Sequence, residues 1–151
     1  MNPFQSLRDY ELFIYTLPQQ YTSITRSTLT VKQKGRLFAE LDGELTFTAH
    51  CRLTVYELLT LTTTVVSINA YSYGAWQGSE KLYWYDSQPH PHIPSLASTD
   101  PHHKHVPPNI KRNRIPAPGL SFAKPNLPFL IQEIEALVPD KSDASEDHPQ
   151  S

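Results

Sequence analysis

Five of the chain's seven histidines, His90, His92, His102, His103 and His105, fall within sixteen positions. Cations follow at Lys104, Lys111, Arg112, Arg114 and Lys124, and no acidic residue occurs from Pro101 to Gln132. Just upstream, Tyr71 and Tyr73, then Tyr83 and Tyr85, recur at period two, so each pair shares one face of its own strand. Clustered imidazoles, guanidinium groups and phenols suit metal-independent cleavage of RNA. One side chain takes the proton of the ribose 2′-OH and another protonates the departing 5′-oxygen, leaving a 2′,3′-cyclic phosphate. An imidazole titrates near pH 6.5, so either protonation state is accessible at little cost. His102, His103 and His105 are the acid–base candidates, with Tyr85, Asp86 and His90 to orient them. Lys104, Lys111, Arg112 and Arg114 would stabilise phosphate charge, and Tyr71, Tyr73 and Tyr83 would stack on bases.

Other chemistries fit the same residues. His90-Pro91-His92 and His103-Lys104-His105 have the i, i+2 spacing that aims two rings to one side of an extended chain, and Asp86 or Asp100 could complete a metal site. Lys104 between two such ligands, with other cations nearby, disfavours a dication, so no metal and no cofactor are expected. A non-catalytic module gripping RNA or protein through this segment is a further alternative. Trp76 and Trp84 read most simply as core or hairpin cover. Cys51 has only His50 beside it, on the opposite strand face, so a cysteine nucleophile is not expected.

The segments that must position these groups can be read along the chain. Residues 3–16 place Phe4, Leu7, Leu12, Phe13 and Tyr15 at helical spacing, with Pro3 in the first turn and Pro18 ending the helix. Residues 21–86 lack proline and alternate in strand fashion: Thr28–Val31, Gly35–Leu41, Leu45–Ala49, Leu53–Leu61, Val65–Tyr73 and Lys81–Asp86. Asp42-Gly43 and Gln77-Gly78-Ser79 supply turn signals. The class is α+β: an N-terminal helix on an antiparallel meander of about five strands.

Ten of the fourteen prolines fall between Pro89 and Pro128, which excludes helix and central strand there. Ile93, Leu96, Val106, Ile110, Ile115, Leu120 and Phe122 can pin this stretch to the sheet as an ordered wrap. Residues 128–138 read as an amphipathic helix burying Phe129, Leu130, Ile134 and Leu137, and 139–151 as a disordered acidic tail. One domain, 1–138, is therefore expected. Its 13 Lys+Arg against 15 Asp+Glu give a net charge of −2, so any contact with nucleic acid must rest on a local patch. One cysteine excludes a disulfide framework and multi-cysteine metal sites. Without a secretory signal or an apolar span, the expected setting is cytoplasmic, with no membrane contact.

The blocks YSYGAWQGSEKLYWYDSQPHP (71–91) and STDPHHKHVPPNIKRNRIPAPGLSF (98–122) resemble the TumE family of toxins from bacterial toxin–antitoxin pairs, in its cyanobacterial branch. The Pro-His-His-Lys-His run from Pro101 to His105 is the most specific part, and the likeness covers roughly 25–138. The resemblance implies a fold similar to the barnase–EndoU–colicin–RelE group of small ribonucleases, an RNA substrate, and an antitoxin encoded nearby. A homodimer remains open. It carries over Tyr71, Tyr73, Tyr85, Asp86, Pro89, His90 and Pro101 to His105, and Glu57 falls where relatives keep a strand carboxylate. Gly74-Ala75 and His92 depart from the pattern, and Gly74 is expected to weaken one contact on the catalytic face.

Overall fold

The computed structural model describes residues 2–63 and 65–138. The expected acidic tail lies outside them. Where one N-terminal helix is expected, the chain makes three pieces. A 3-10 turn over Pro3–Gln5 leads into α1 (Leu7–Tyr15), and α2 (Leu17–Gln20) follows directly. The Ser6 hydroxyl accepts the Asp9 amide at 3.0 Å and so starts α1. Pro18 lies in the first turn of α2 instead of terminating a helix, because a first turn has no use for its missing N–H.

Eight antiparallel strands form one sheet: β1 (Ile24–Ser27), β2 (Thr30–Lys34), β3 (Phe38–Phe47), β4 (Cys51–Leu61), β5 (Val66–Gln77), β6 (Glu80–Asp86), β7 (His103–His105) and β8 (Arg114–Pro116). Their order is β1-β3-β4-β5-β6-β7-β8, and β2 also pairs with β3. The sheet is thus longer than the expected five strands. The Asp42-Gly43 hairpin is absent. β3 runs straight through it, and a Cβ on Gly43 (φ 136°) would meet the Thr28 carbonyl oxygen at 2.6 Å. Gly43 permits the close passage of the segment joining β1 to β2. The real β3–β4 turn lies at Thr48–His50, with Ala49 and His50 at φ 59° and 61°.

The proline-rich wrap is ordered and contributes β7, β8 and a 3-10 turn at Pro94–Leu96. Cis bonds precede Pro101 and Pro108, on either side of β7. The C-terminal helix is α3 (Leu127–Leu137), which buries Leu127, Leu130, Ile131 and Ile134. Phe129 and Leu137, expected inside, are exposed. The core lies between one face of the sheet and the helices. It draws on Phe4, Tyr10 and Ile14, on Leu41 and Leu45 of β3, on Leu53, Val55 and Leu59 of β4, and on Leu130 and Ile134 of α3. Among the described residues no helix is long and apolar enough to cross a membrane.

Candidate functional site

Residues paired across strands share a sheet face, so the register divides the candidate side chains into two sets. One row reads Val55, Tyr73, Tyr85, Lys104, Ile115. It belongs to the core face, where Val55, Tyr73 and Tyr85 are buried. Its neighbours read Tyr56, Ser72, Asp86, His103, Pro116 on one side and Thr54, Gly74, Trp84, His105, Arg114 on the other. These two rows occupy the outer face. Lys104 therefore points away from His103 and His105, and Tyr73 and Tyr85 point away from Asp86.

On the outer face the Nε2 atoms of His103 and His105 lie 3.2 Å apart. Asp86 approaches both, with Oδ1 3.0 Å from His103 Nε2 and Oδ2 3.4 Å from His105 Nε2. Each ring turns its other nitrogen to a backbone carbonyl. His103 Nδ1 is 3.1 Å from the Pro101 oxygen, and His105 Nδ1 is 2.7 Å from the Ile110 oxygen. A carbonyl can only accept, so both Nδ1 atoms carry hydrogen and both Nε2 atoms face the cluster. Trp84 stacks on His105 at 3.6 Å, and His90 meets His103 edge-on at 4.9 Å. The two imidazoles are 1% and 3% exposed, so neither offers its ring to a substrate. Burial alone would raise the Asp86 pKa, but the His103 hydrogen bond and charge hold it below the usual carboxylate range. Burial disfavours charge on His103, yet Asp86 leaves its pKa raised. For His105 burial prevails and the pKa falls.

An open groove of about 690 Å³ runs past Asp86 at the end of β5 and β6. Trp84, Asp86, Gln88 and Pro101 line one part of it, and Tyr71 and Phe122 another. His102 is not itself a lining residue but contacts this second part: its Nδ1 is 2.6 Å from the Tyr71 hydroxyl and its ring packs on Phe122 at 4.6 Å. Burial lowers the His102 pKa, with Asp100 opposing. Farther along the outer face, Lys81 Nζ sits 4.6 Å from the Trp84 ring and 5.4 Å from the Trp76 ring. Arg52 covers Trp76 at 4.6 Å while pairing with Glu44 at 3.2 Å. Gly74 makes room for this layer, since a Cβ there would fall 3.0 Å from Trp76 Nε1 and 2.7 Å from Thr54 Oγ1. The sequence reading missed Arg52 and Lys81 and took the tryptophans for core or hairpin cover. Both tryptophans lie at even positions, out of phase with the odd-numbered tyrosines, which was the available signal.

The core-face residues have other work. Glu57 is 0% exposed and accepts from the Tyr10 and Tyr73 hydroxyls, each at 2.5 Å. Asn126 Nδ2 donates to the Tyr73 hydroxyl at 3.1 Å. Glu57 is thus a strut between α1 and the sheet, with no path to a substrate. Tyr71, Tyr73, Tyr83 and Tyr85 are all buried, and rings so covered present no face to a base. The Tyr85 hydroxyl donates to Glu133 at 2.8 Å, and Lys104 Nζ, 4.2 Å above the Tyr83 ring, reaches the same carboxylate at 2.9 Å. Lys104 is consumed by α3. Lys111 and Arg112 are exposed on the β7–β8 connection, and Arg114 is half-buried beside His105.

The family model for the toxin TumE matches residues 14–138 of the chain. No curated protein and no solved structure matches it. The Asp86–His103–His105 cluster and the groove beside it lie within the matched span, and that span covers most of the sequence. The chain belongs to the TumE family of toxins.

Proposed function

We propose that this chain is the toxin of a toxin–antitoxin pair and that it acts on RNA as an endoribonuclease, by attack of a 2′-OH on the adjacent phosphate. Its kinship would then be with the barnase–EndoU–colicin–RelE ribonucleases, and its setting the cytoplasm. The observation that carries the reading is the groove beside Asp86, with Tyr71, the hydrogen-bond partner of His102, among its lining residues and a Lys81–Trp76–Trp84 layer leading toward it. Aromatic rings interleaved with cations grip single-stranded nucleic acid without demanding one base sequence. Among the histidines, we assign the proton-carrier role to His102, which is half-buried and bonded to the groove residue Tyr71, since His103 and His105 are covered. His90, half-exposed against His103, is the second candidate.

Purified full-length protein should cut single-stranded RNA and leave 2′,3′-cyclic phosphate ends. His102→Ala should slow cleavage by about 10²–10⁴. Lys81→Ala should weaken RNA binding and flatten its dependence on salt. If His102→Ala arrests growth as fast as the parent chain, the catalytic reading fails.

A further inference from the structure

The positions of the hydrogens on His103 and His105 leave a problem at the centre of their cluster. With each Nδ1–H given to a carbonyl, a neutral ring presents a bare lone pair at Nε2. Two such lone pairs facing each other at 3.2 Å, with a carboxylate beside them, repel. Something positive must lie between them, either a proton or a metal ion.

We propose that Asp86, His103 and His105 form a binding site for one divalent transition-metal ion of the zinc type. Three observations support it. The first is spacing. Ligand atoms about 2.0–2.1 Å from a tetrahedral zinc stand roughly 3.3 Å from one another. The two Nε2 atoms stand 3.2 Å apart, Asp86 Oδ1 is 3.0 Å from one and Oδ2 3.4 Å from the other, and one ligand atom from each residue lies within 4.8 Å of the others, so a turn of the carboxylate would let a single oxygen complete the triangle. The second is the outer shell. Histidines that ligate metals through one ring nitrogen almost always donate the other to a carbonyl or carboxylate, which fixes tautomer and ring plane. Pro101 and Ile110 do this for both rings. The third is the backbone. All three ligands sit on adjacent paired strands, Asp86 opposite His103 with His105 two residues on, so the sheet holds the triangle before any ion arrives.

The obvious objection from sequence does not hold. Lys104, although it lies between the two histidines in the chain, projects to the other face and is paired with Glu133. Arg114 is the cation that does share the face. It favours an anionic fourth ligand, and Asp86, whose side chain is 16% exposed and lines the groove, marks the side from which a water or phosphate oxygen would enter. Two imidazoles, one carboxylate and one open position make a site of the catalytic zinc type. The inference stands apart from RNA cleavage: metal content reads the one, RNA ends read the other.

The test uses the full chain without a polyhistidine tag, equilibrated with excess Zn²⁺ or Co²⁺ and then freed of loose ion by gel filtration. About one ion per chain should remain. Cobalt-loaded protein should show the intense visible absorption of a four-coordinate centre, and the melting temperature should rise with free Zn²⁺. Asp86→Asn, which keeps the side chain's shape, should weaken Zn²⁺ binding at least tenfold. His92→Ala, an exposed histidine outside the cluster, should not change it. Less than about a tenth of an ion per parent chain overturns the proposal and makes the cluster a proton-held ion pair. Binding that survives Asp86→Asn but fails in His92→Ala overturns it as well. The parent protein alone decides the first point, so a variant that folds poorly cannot mask the answer.

Discussion

A carboxylate inside a sheet must find full hydrogen bonding or give up its charge, and Glu57 does some of each. Burial pushes its pKa up to about 7, while the Tyr10 and Tyr73 hydroxyls pull it down. Relative to an unfolded value near 4.5, the native state holds more proton between those limits. Stability contributed by this group is therefore fully present below about pH 4.5 and falls as pH rises toward 7. The total across that window is about 3 kcal/mol. Glu57→Gln should flatten this part of the stability–pH curve in urea unfolding. Glu57→Ala, which leaves two buried hydroxyls without an acceptor, should destabilise by about 3 kcal/mol or more at acidic pH. A parent chain whose stability is flat from pH 4.5 to 7 would contradict the assignment. The inward phase of Glu57 was legible, since it falls in step with Leu53, Val55 and Leu59 in β4. Its role was not, because Tyr10 reaches it from another element 47 residues away. The same limit applies to His103 and His105. Spacing showed that both rings share a side, but only the pairing of β6 with β7 brings Asp86 between them.

Among the elements, the long strands and α3 were readable because their burial follows a period. Misreadings collected where a turn or a close contact overrode local preference. Asp42-Gly43 carries the composition of a two-residue hairpin, yet its glycine serves the passage of Thr28 and Leu29 beside β3. The true turn uses Ala49 and His50 at positive φ, with no glycine to mark it. Strands β7 and β8 have three residues each, too few for any period to show, and prolines surround them. Their existence depends on β6 offering an edge. The Ala49 conformation makes a direct prediction. A non-glycine residue at φ 59° costs roughly 1–2 kcal/mol, whereas glycine loses about 0.5–1 kcal/mol more chain entropy on folding. Relief wins by a small margin, so Ala49→Gly should raise stability by about 0.5 kcal/mol without altering toxicity. The urea midpoint should move up at constant slope, and a fall would show that the turn is not strained as described.

At the scale of the whole molecule, a net charge of −2 conceals an uneven distribution. Residues 101–132 contain no acid, and Lys104 is satisfied by Glu133. Lys111, Arg112 and Lys124 are exposed, and among the described residues none of them forms an ion pair. An antitoxin that presents an acidic segment would meet these cations before it met the groove, and such exposed charges govern encounter more than final affinity. Reversing Lys111 and Arg112 together to Glu should slow association with the antitoxin at least tenfold at low salt and remove most of its salt dependence, with the dissociation rate changed far less. Surface plasmon resonance at two ionic strengths reads both rates. The chain's own carboxylates at Asp140, Asp143, Glu146 and Asp147, beyond the described residues, are the competing source of negative charge. Contacts between these carboxylates and the exposed cations would be screened by salt within about 8 Å. Deleting residues 140–151 should therefore leave growth arrest and its rescue by the co-expressed antitoxin unchanged. A truncated chain that is markedly more toxic would make the tail a built-in restraint, doing in part what the antitoxin is expected to do alone.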